Sequence, residues 1–361
     1  MRRRFAALLL FGLLALPAAA QPAPGWVEVR VLERRVRDKI ELYSAPSGAW
    51  GAGPAVIQAV GDGLRINGRP FLRKALVLGE GPQGVVSLQV DAEQRRYPGR
   101  VRLYAEGGRL VVVNEAPLEG YVAGVVAAEM PSGWPLQAKL AQAVLARTLA
   151  VRGGAHQGGT LCDLTHCQAY AGLATGEAVR AAEQTRARIL SAGGAPIQVL
   201  YHSTCAGQGA DSRAVFGGTL VPYLLAQRDA FCAASPFATP WRVRIPAVQL
   251  ALALGRKTVE VVTLRDRAPG GWVAGVEVDG TPLTGYRFWQ AIGRHLGWGL
   301  VKSLNFEVRR EGTAFAFIGK GLGHGVGLCQ WGARGRALAG WDWRRILTAY
   351  YPGTHVQELR P

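Results

Sequence analysis

Four stretches of this 361-residue chain carry side chains whose types and spacing suit chemistry. The first is Gly120–Ala150, where a single carboxylate, Glu129, falls between two apolar helical runs. A carboxylate closing a helix meets the negative end of the helix dipole. Its apolar neighbours Val125, Val126, Met130 and Trp134 add desolvation. Both effects disfavour the ionised form, which suits a general acid working near neutral pH. The second is His156, Cys162, His166 and Cys167, within twelve residues. Imidazole and thiolate are ligands for a structural zinc; a Cys162–Cys167 disulfide or free thiols are the alternatives. The third is Tyr201–Ser212. Cys205 there is expected to pair with Cys232 as a disulfide, and a Cys205 nucleophile served by His202 is the alternative. The fourth is Phe315–Gly335, where glycine alternates strictly from Gly319 to Gly327. An extended chain would put those five on one face as a floor without side chains, with His324 on the other face. Tight backbone packing is the competing reading. Gln330 and Trp331 follow, suited to hydrogen bonding and stacking on a sugar.

The elements that must position these groups follow from local signals. Pro131 disfavours helix at Met130, so the first helix should end at about Glu129. Asn114 is the expected N-cap, with Pro117 in the first turn, and Pro135 opens the second helix. Leu136, Leu140, Ala141, Val144, Leu145 and Leu149 form a buried stripe along that helix. Arg102–Asn114 reads as a hairpin turning at Gly107-Gly108, and Gly61-Asp62-Gly63 and Asn67-Gly68 mark turns upstream. Further helices are expected near Glu177–Arg188, Val248–Leu254, Phe288–Leu296 and Trp341–Tyr350, with strands near Ile197–His202, Val259–Leu264 and Trp272–Val278. The fold class is α+β: mixed sheets, a few helices and a small β-rich N-terminal module. The expected division is a signal peptide at 1–20, the module at 21–96 and one larger domain at 97–361, within which 240–312 is a candidate sub-domain.

Arg2, Arg3 and Arg4, an apolar run from Phe5 to Leu16 and Ala18-Ala19-Ala20 make an export signal. No cysteine stands at the cleavage site, so no lipid anchor is expected. No later run is long enough to span a membrane. The protein is therefore expected in the periplasm, the wall or outside the cell. Losing the three arginines lowers the formal charge from +17 to +14, which suits an anionic partner. No common nucleic-acid motif is present. Export also supplies the oxidising setting for a disulfide among the five cysteines.

Together these stretches resemble the SpoIID/LytB family of bacterial cell-wall proteins, which includes stage II sporulation protein D and the amidase enhancers. The resemblance rests on Glu-Met-Pro at 129–131 with Trp134-Pro135, on 162–172, on Tyr201–Gln208, on Gly321–Gly340 and on 346–354, and spans about Tyr97–Val356. It departs from the family pattern at Gln137, at Lys139-Leu140, at Leu149 and at Ala206. The resemblance implies a lytic transglycosylase that cuts peptide-stripped peptidoglycan glycan strands, with Glu129 as acid and then base. It implies zinc at His156, Cys162, His166 and Cys167, as in clostridial relatives. It also implies a partner N-acetylmuramoyl-L-alanine amidase, and, as the alternative function, a non-catalytic amidase enhancer. On this reading Tyr201, His202, Ser203, His324, Gln330 and Trp331 line a sugar cleft around Glu129.

Overall fold

The computed structural model describes residues 25–36, 38–42, 54–79, 81–90, 92–153, 160–165 and 167–359. The expected signal peptide lies outside them, as do His156 and His166.

Turn chemistry sets the N-terminal strands. Asn67-Gly68 (φ 49° and 78°) and Gly107-Gly108 (φ 56° and 75°) take the two left-handed positions of tight hairpin turns. The first pair joins Gly63–Ile66 to Arg69–Phe71. The second joins Arg100–Glu106 to Arg109–Pro117. A six-stranded antiparallel sheet runs, in spatial order, through Arg69–Phe71, Gly63–Ile66, Ala55–Val60, Lys39–Leu42, Val85–Val90 and Glu93–Pro98. A second, five-stranded sheet has the order Leu161–Cys162, Trp26–Val31, Arg109–Pro117, Arg100–Glu106, Ala75–Leu78. It takes strands from both sides of residue 97. The N-terminal strands Trp26–Val31 and Ala75–Leu78 thus share a sheet with the strand that feeds the Glu129 helix.

Eight α-helices occur among the described residues: α1 (Leu118–Glu129), α2 (Leu136–Arg152), α3 (Glu177–Gln184), α4 (Ser212–Phe216), α5 (Ala247–Ala253), α6 (Gly285–Leu296), α7 (Gln330–Leu338) and α8 (Trp343–Tyr350). The chain is α+β. Pro131 has the predicted effect: α1 stops at Glu129 and Met130 is extended, φ −120°. Pro135 precedes α2 directly. Asn114 is not the cap that its residue type suggests. Pairing on both edges carries the strand past Asn114 to Glu115, and pairing with Trp26–Val31 carries it on to Pro117, which itself stands at the N-cap. Buried Asn114 instead donates to the carbonyls of Pro98 and Arg100 (2.8 and 2.9 Å) and accepts from the Tyr170 hydroxyl (2.7 Å).

Burial on α2 is wider than one stripe, since every residue from Ala138 to Thr148 is buried. Arg147, 0% exposed, grips Glu119 of α1 with Nε and Nη2. It also donates to the carbonyls of Ala182 and Arg188 (3.0 and 3.1 Å). One forked side chain thereby ties α1, α2, α3 and the strand Arg188–Ala192 together. Between 241 and 319, two three-stranded sheets carry α5 and α6. They join the rest through indole donors, Trp272 to the Gln208 carbonyl (2.8 Å) and Trp241 to the Gly321 carbonyl (3.1 Å). No helix among the described residues is long and apolar enough to cross a membrane.

Candidate active site at the end of the first helix

The last turn of α1 passes from core to surface: Val125 and Val126 are buried, Ala127 and Ala128 exposed, and Glu129 partly buried. Three donors converge on the Glu129 carboxylate. The Ala169 amide and the Tyr201 hydroxyl reach Oε1 at 2.8 and 3.0 Å. The Gln330 amide reaches Oε2 at 3.2 Å and the Glu129 carbonyl at 3.4 Å. Burial pushes the carboxyl pKa up, while the bonds from Ala169, Gln330 and Tyr201 pull it down; the net shift is upward. Burial and the neighbouring carboxylate hold the Tyr201 phenol well above its usual range, so it stays a neutral donor. With two donors on Oε1, the acidic proton belongs on Oε2.

Gln168 and Ala169 were not singled out from sequence. Gln168 is buried, places its Oε1 3.3 Å from the Tyr201 hydroxyl as a second acceptor, and donates to the Tyr121 hydroxyl and the Ala146 carbonyl (3.0 and 3.2 Å). It fixes the phenol that fixes the acid. Ala169 acts through a backbone N–H, which leaves no side-chain signal; its place two residues after Cys167 was the available hint.

Of the six expected lining residues, Tyr201 and Gln330 reach Glu129. Ser203 receives the Trp331 amide on its carbonyl (3.0 Å). The Trp331 ring meets Trp134 edge-on at 5.0 Å, under the Arg334 guanidinium. His202 is a correction. Tyr201–His202 is a strand, so the two side chains point to opposite faces. Tyr201 faces the acid, and His202, 4% exposed, faces the core. There its Nδ1 meets the Val326 carbonyl (3.2 Å) and its ring lies near Trp272 and His324. Burial lowers its pKa to about 4 and that of His324 to about 3. Nδ1 of His324 accepts from the Val326 amide (3.1 Å). Both rings are neutral packing groups behind Tyr201.

The glycine run is likewise packing, and it is not a flat floor. Gly321, Gly323, Gly325 and Gly327 all have left-handed φ, 72° to 103°. A Cβ on Gly325 would fall 2.4 Å from the Trp272 ring, and one on Gly327 would fall 1.9 Å from the Leu200 carbonyl oxygen. These glycines let the chain press against the segment that presents Tyr201.

The cysteines are buried thiols. Those of Cys162 and Cys167 hydrogen-bond to each other, which pushes Cys162 upward. The expected Cys205–Cys232 disulfide is corrected: the sulfurs face each other at 3.6 Å, unbonded, with the Cys329 sulfur beside them as a third partner. Cys205, 1% exposed, has sulfur neighbours, and His202 is committed to Val326, so the nucleophile alternative falls too.

Residues 106–191, which contain α1, α2 and the Cys162–Tyr170 loop, match the family model described as Stage II sporulation protein. Stage II sporulation protein D of Bacillus amyloliquefaciens is 31% identical over 273 residues, covering 68% of this chain and 76% of that protein. The chain belongs to the SpoIID/LytB family. An uncharacterized protein of Brachyspira hyodysenteriae is 30% identical over 271 residues, 72% of each chain. The amidase enhancer of Bacillus subtilis is 26% identical over 294 residues, 64% of this chain but 39% of the enhancer. SpoIID/LytB relatives are thus named both for sporulation and for amidase enhancement.

Proposed function

We propose that this SpoIID/LytB protein is an exported peptidoglycan lytic transglycosylase, cleaving MurNAc–GlcNAc linkages in peptide-stripped glycan strands, with Glu129 as its single acid and base. The observation that carries the reading is the Glu129 carboxyl itself, protonation-prone through burial yet held by three donors. Ordinary glycosidases need a second carboxylate to activate water or to form a covalent intermediate. Here the three donors to Glu129 are an amide nitrogen, a phenol and a carboxamide. An intramolecular nucleophile removes the need for a second acid. Glu129 gives its Oε2 proton to the glycosidic oxygen as the C1–O bond breaks. The resulting carboxylate takes the proton of the muramyl C6 hydroxyl as that oxygen bonds to C1, leaving a 1,6-anhydro end. Tyr201 and Ala169 stabilise the carboxylate between the two transfers, and Gln330 orients Oε2. Trp331, partly exposed and backed by buried Trp134, offers ring surface to a sugar beside it.

The facing thiols of Cys162 and Cys167 supply half of an S₂N₂ ligand set, and His156 and His166 would complete it around a structural zinc. When bound, that ion would brace the loop leading into Gln168 and Ala169. The partner class is an amidase that strips the glycan first.

The test is mass analysis of products from purified sacculi, with and without an added amidase. Release of anhydro-muramyl ends by the wild type and not by Glu129→Gln supports the enzyme. The relative named an amidase enhancer favours a second reading, in which the chain binds glycan and stimulates an amidase. Unchanged stimulation by Glu129→Gln, with no anhydro ends from either protein, would establish that reading.

A further inference from the structure

Three cysteines distant in sequence end at one point. Cys205 follows the Tyr201–His202 strand. Cys232 closes a short 3-10 turn, Ala230–Cys232, that begins beyond Asp229. Cys329 ends the strand Leu328–Cys329 and caps α7. Their sulfurs and one Asp229 carboxylate oxygen all lie within 4.8 Å of one another, and all four residues are buried at 1 or 2% exposure.

The spacing, the environment and the outer contacts agree on one occupant. Four ligands arranged tetrahedrally about zinc, with Zn–S about 2.3 Å, hold their sulfurs about 3.8 Å apart. Cys205 and Cys232 stand at 3.6 Å, whereas a disulfide needs about 2.05 Å and would strand the third sulfur. Backbone amides point at the sulfurs: Gly207 at Cys232 (3.2 Å), Cys205 at Cys329 (3.4 Å) and Gly332 at Cys329 (3.3 Å). Such bonds favour thiolate over thiol. Asp229 accepts from Arg336 and the Phe231 amide on Oδ1 (2.7 and 3.1 Å) and from the Tyr350 hydroxyl on Oδ2. A carboxylate has about four acceptor positions, so Oδ2 keeps one free. Hydrogen-bonded carboxylates of this kind are what metal ligands carry in their outer shell. Three soft sulfurs with one carboxylate suit zinc.

We propose that Cys205, Cys232, Cys329 and Asp229 form a closed structural zinc site, separate from the Cys162/Cys167 loop, that pins the three segments meeting behind the Glu129 donors. Binding releases the three thiol protons to solvent and needs no oxidant. Cys329 directly precedes Gln330, and Cys205 lies four residues after Tyr201, so the ion would fix two of the three groups that hold the acid.

The test uses the full exported chain purified without reductant or chelator. Zinc per chain is measured in the wild type and in the Cys162→Ser/Cys167→Ser double variant, with the zinc X-ray absorption edge giving the ligand set. One zinc per chain retained in the double variant, with three sulfurs and one lighter ligand, is expected. A metal-free, folded double variant would overturn the proposal. A second readout needs no variant. The wild type is unfolded in chelator without reductant, alkylated and digested. Three alkylated cysteines at 205, 232 and 329, with a wild-type zinc shell averaging more than two sulfurs, support the site. A linked Cys205–Cys232 peptide, or a shell of two sulfurs or fewer, overturns it even if the double variant fails to fold.

Discussion

Replacing Tyr201 with Phe removes one oxygen and keeps the ring, so it isolates the phenol's effect on Glu129. The phenol donates to Oε1 at 3.0 Å and favours the carboxylate over the acid. A hydrogen bond to a charged group is worth about 1.5–3 kcal/mol. The contact is only partly buried, so the lower end applies. One pH unit corresponds to about 1.36 kcal/mol. Losing the bond should therefore make Glu129 harder to ionise and move its titration upward by about one unit. If Glu129 must be protonated to act, the rate falls as pH rises through its pKa, and this alkaline limb should move up by about the same amount in Tyr201→Phe. The assay is release of anhydro-muramyl ends from amidase-treated sacculi as a function of pH, with Glu129→Gln as the blank. The low-pH plateau should persist at a level far above that blank, since general acid catalysis contributes about 10²–10⁴-fold. A limb that stays in place, or moves down, would refute the assignment of the titrating acid to a Tyr201-bonded Glu129.

Glu129→Gln should also be more stable than the wild type at neutral pH. A carboxyl whose folded pKa is raised binds its proton more tightly folded than unfolded. The stability this lends is therefore present below the unfolded value and lost as pH rises through the folded one. The melting-temperature gap between variant and wild type should widen from pH 4 to pH 8; a constant gap would contradict the raised pKa. Arg147→Met should cost about 3–5 kcal/mol in denaturant unfolding, because it leaves the Glu119 carboxylate without its buried partner. Arg147→Lys should recover little, since an ammonium cannot reproduce the forked grip. Gly327→Ala should cost more than the roughly 1–2 kcal/mol of left-handed backbone alone, because its Cβ would also strike the Leu200 carbonyl. Gly133→Ala, where a Cβ meets nothing within 4 Å, should stay within about 0.5 kcal/mol.

What the sequence revealed, and what it hid, divides by range. Pro131 acts on its own neighbour, so the end of α1 at Glu129 could be read directly, as could the paired left-handed turns at Asn67-Gly68 and Gly107-Gly108. Asn114 misled because a good cap residue is equally able to satisfy strand carbonyls. The choice fell to partners at Trp26–Val31 and Arg100–Glu106 that no local window contains. The alternating glycines misled in the same way: their period is that of a strand, but four of them need left-handed φ, which a regular strand never uses. His202 and Tyr201 are adjacent in sequence and opposite in space, so only the pairing of their strand decides which one meets the acid. Cys329 gave no sign of joining Cys205 and Cys232, because that meeting depends on the parallel pairing of His202 with Cys329.

The proposed mechanism asks Glu129 first to give a proton and then to take one, which sets conflicting demands on its surroundings. Burial alone would leave Glu129 protonated and a poor base for the second step. Donors alone would leave it ionised and a poor acid for the first. Here burial raises the carboxyl while Ala169, Tyr201 and Gln330 oppose it, and those donors come from three separate segments of chain. Such opposition holds the carboxyl between acid and base only while the donors keep their distances, because a bond lost from either oxygen tips it toward the acid. Each donor lies close in sequence to a buried sulfur: Ala169 two residues after Cys167, Gln330 one after Cys329, and Tyr201 four before Cys205. Donors placed beside buried sulfurs, and held there by the proposed metal sites, are what the proposed mechanism requires of a single carboxyl with two opposite jobs.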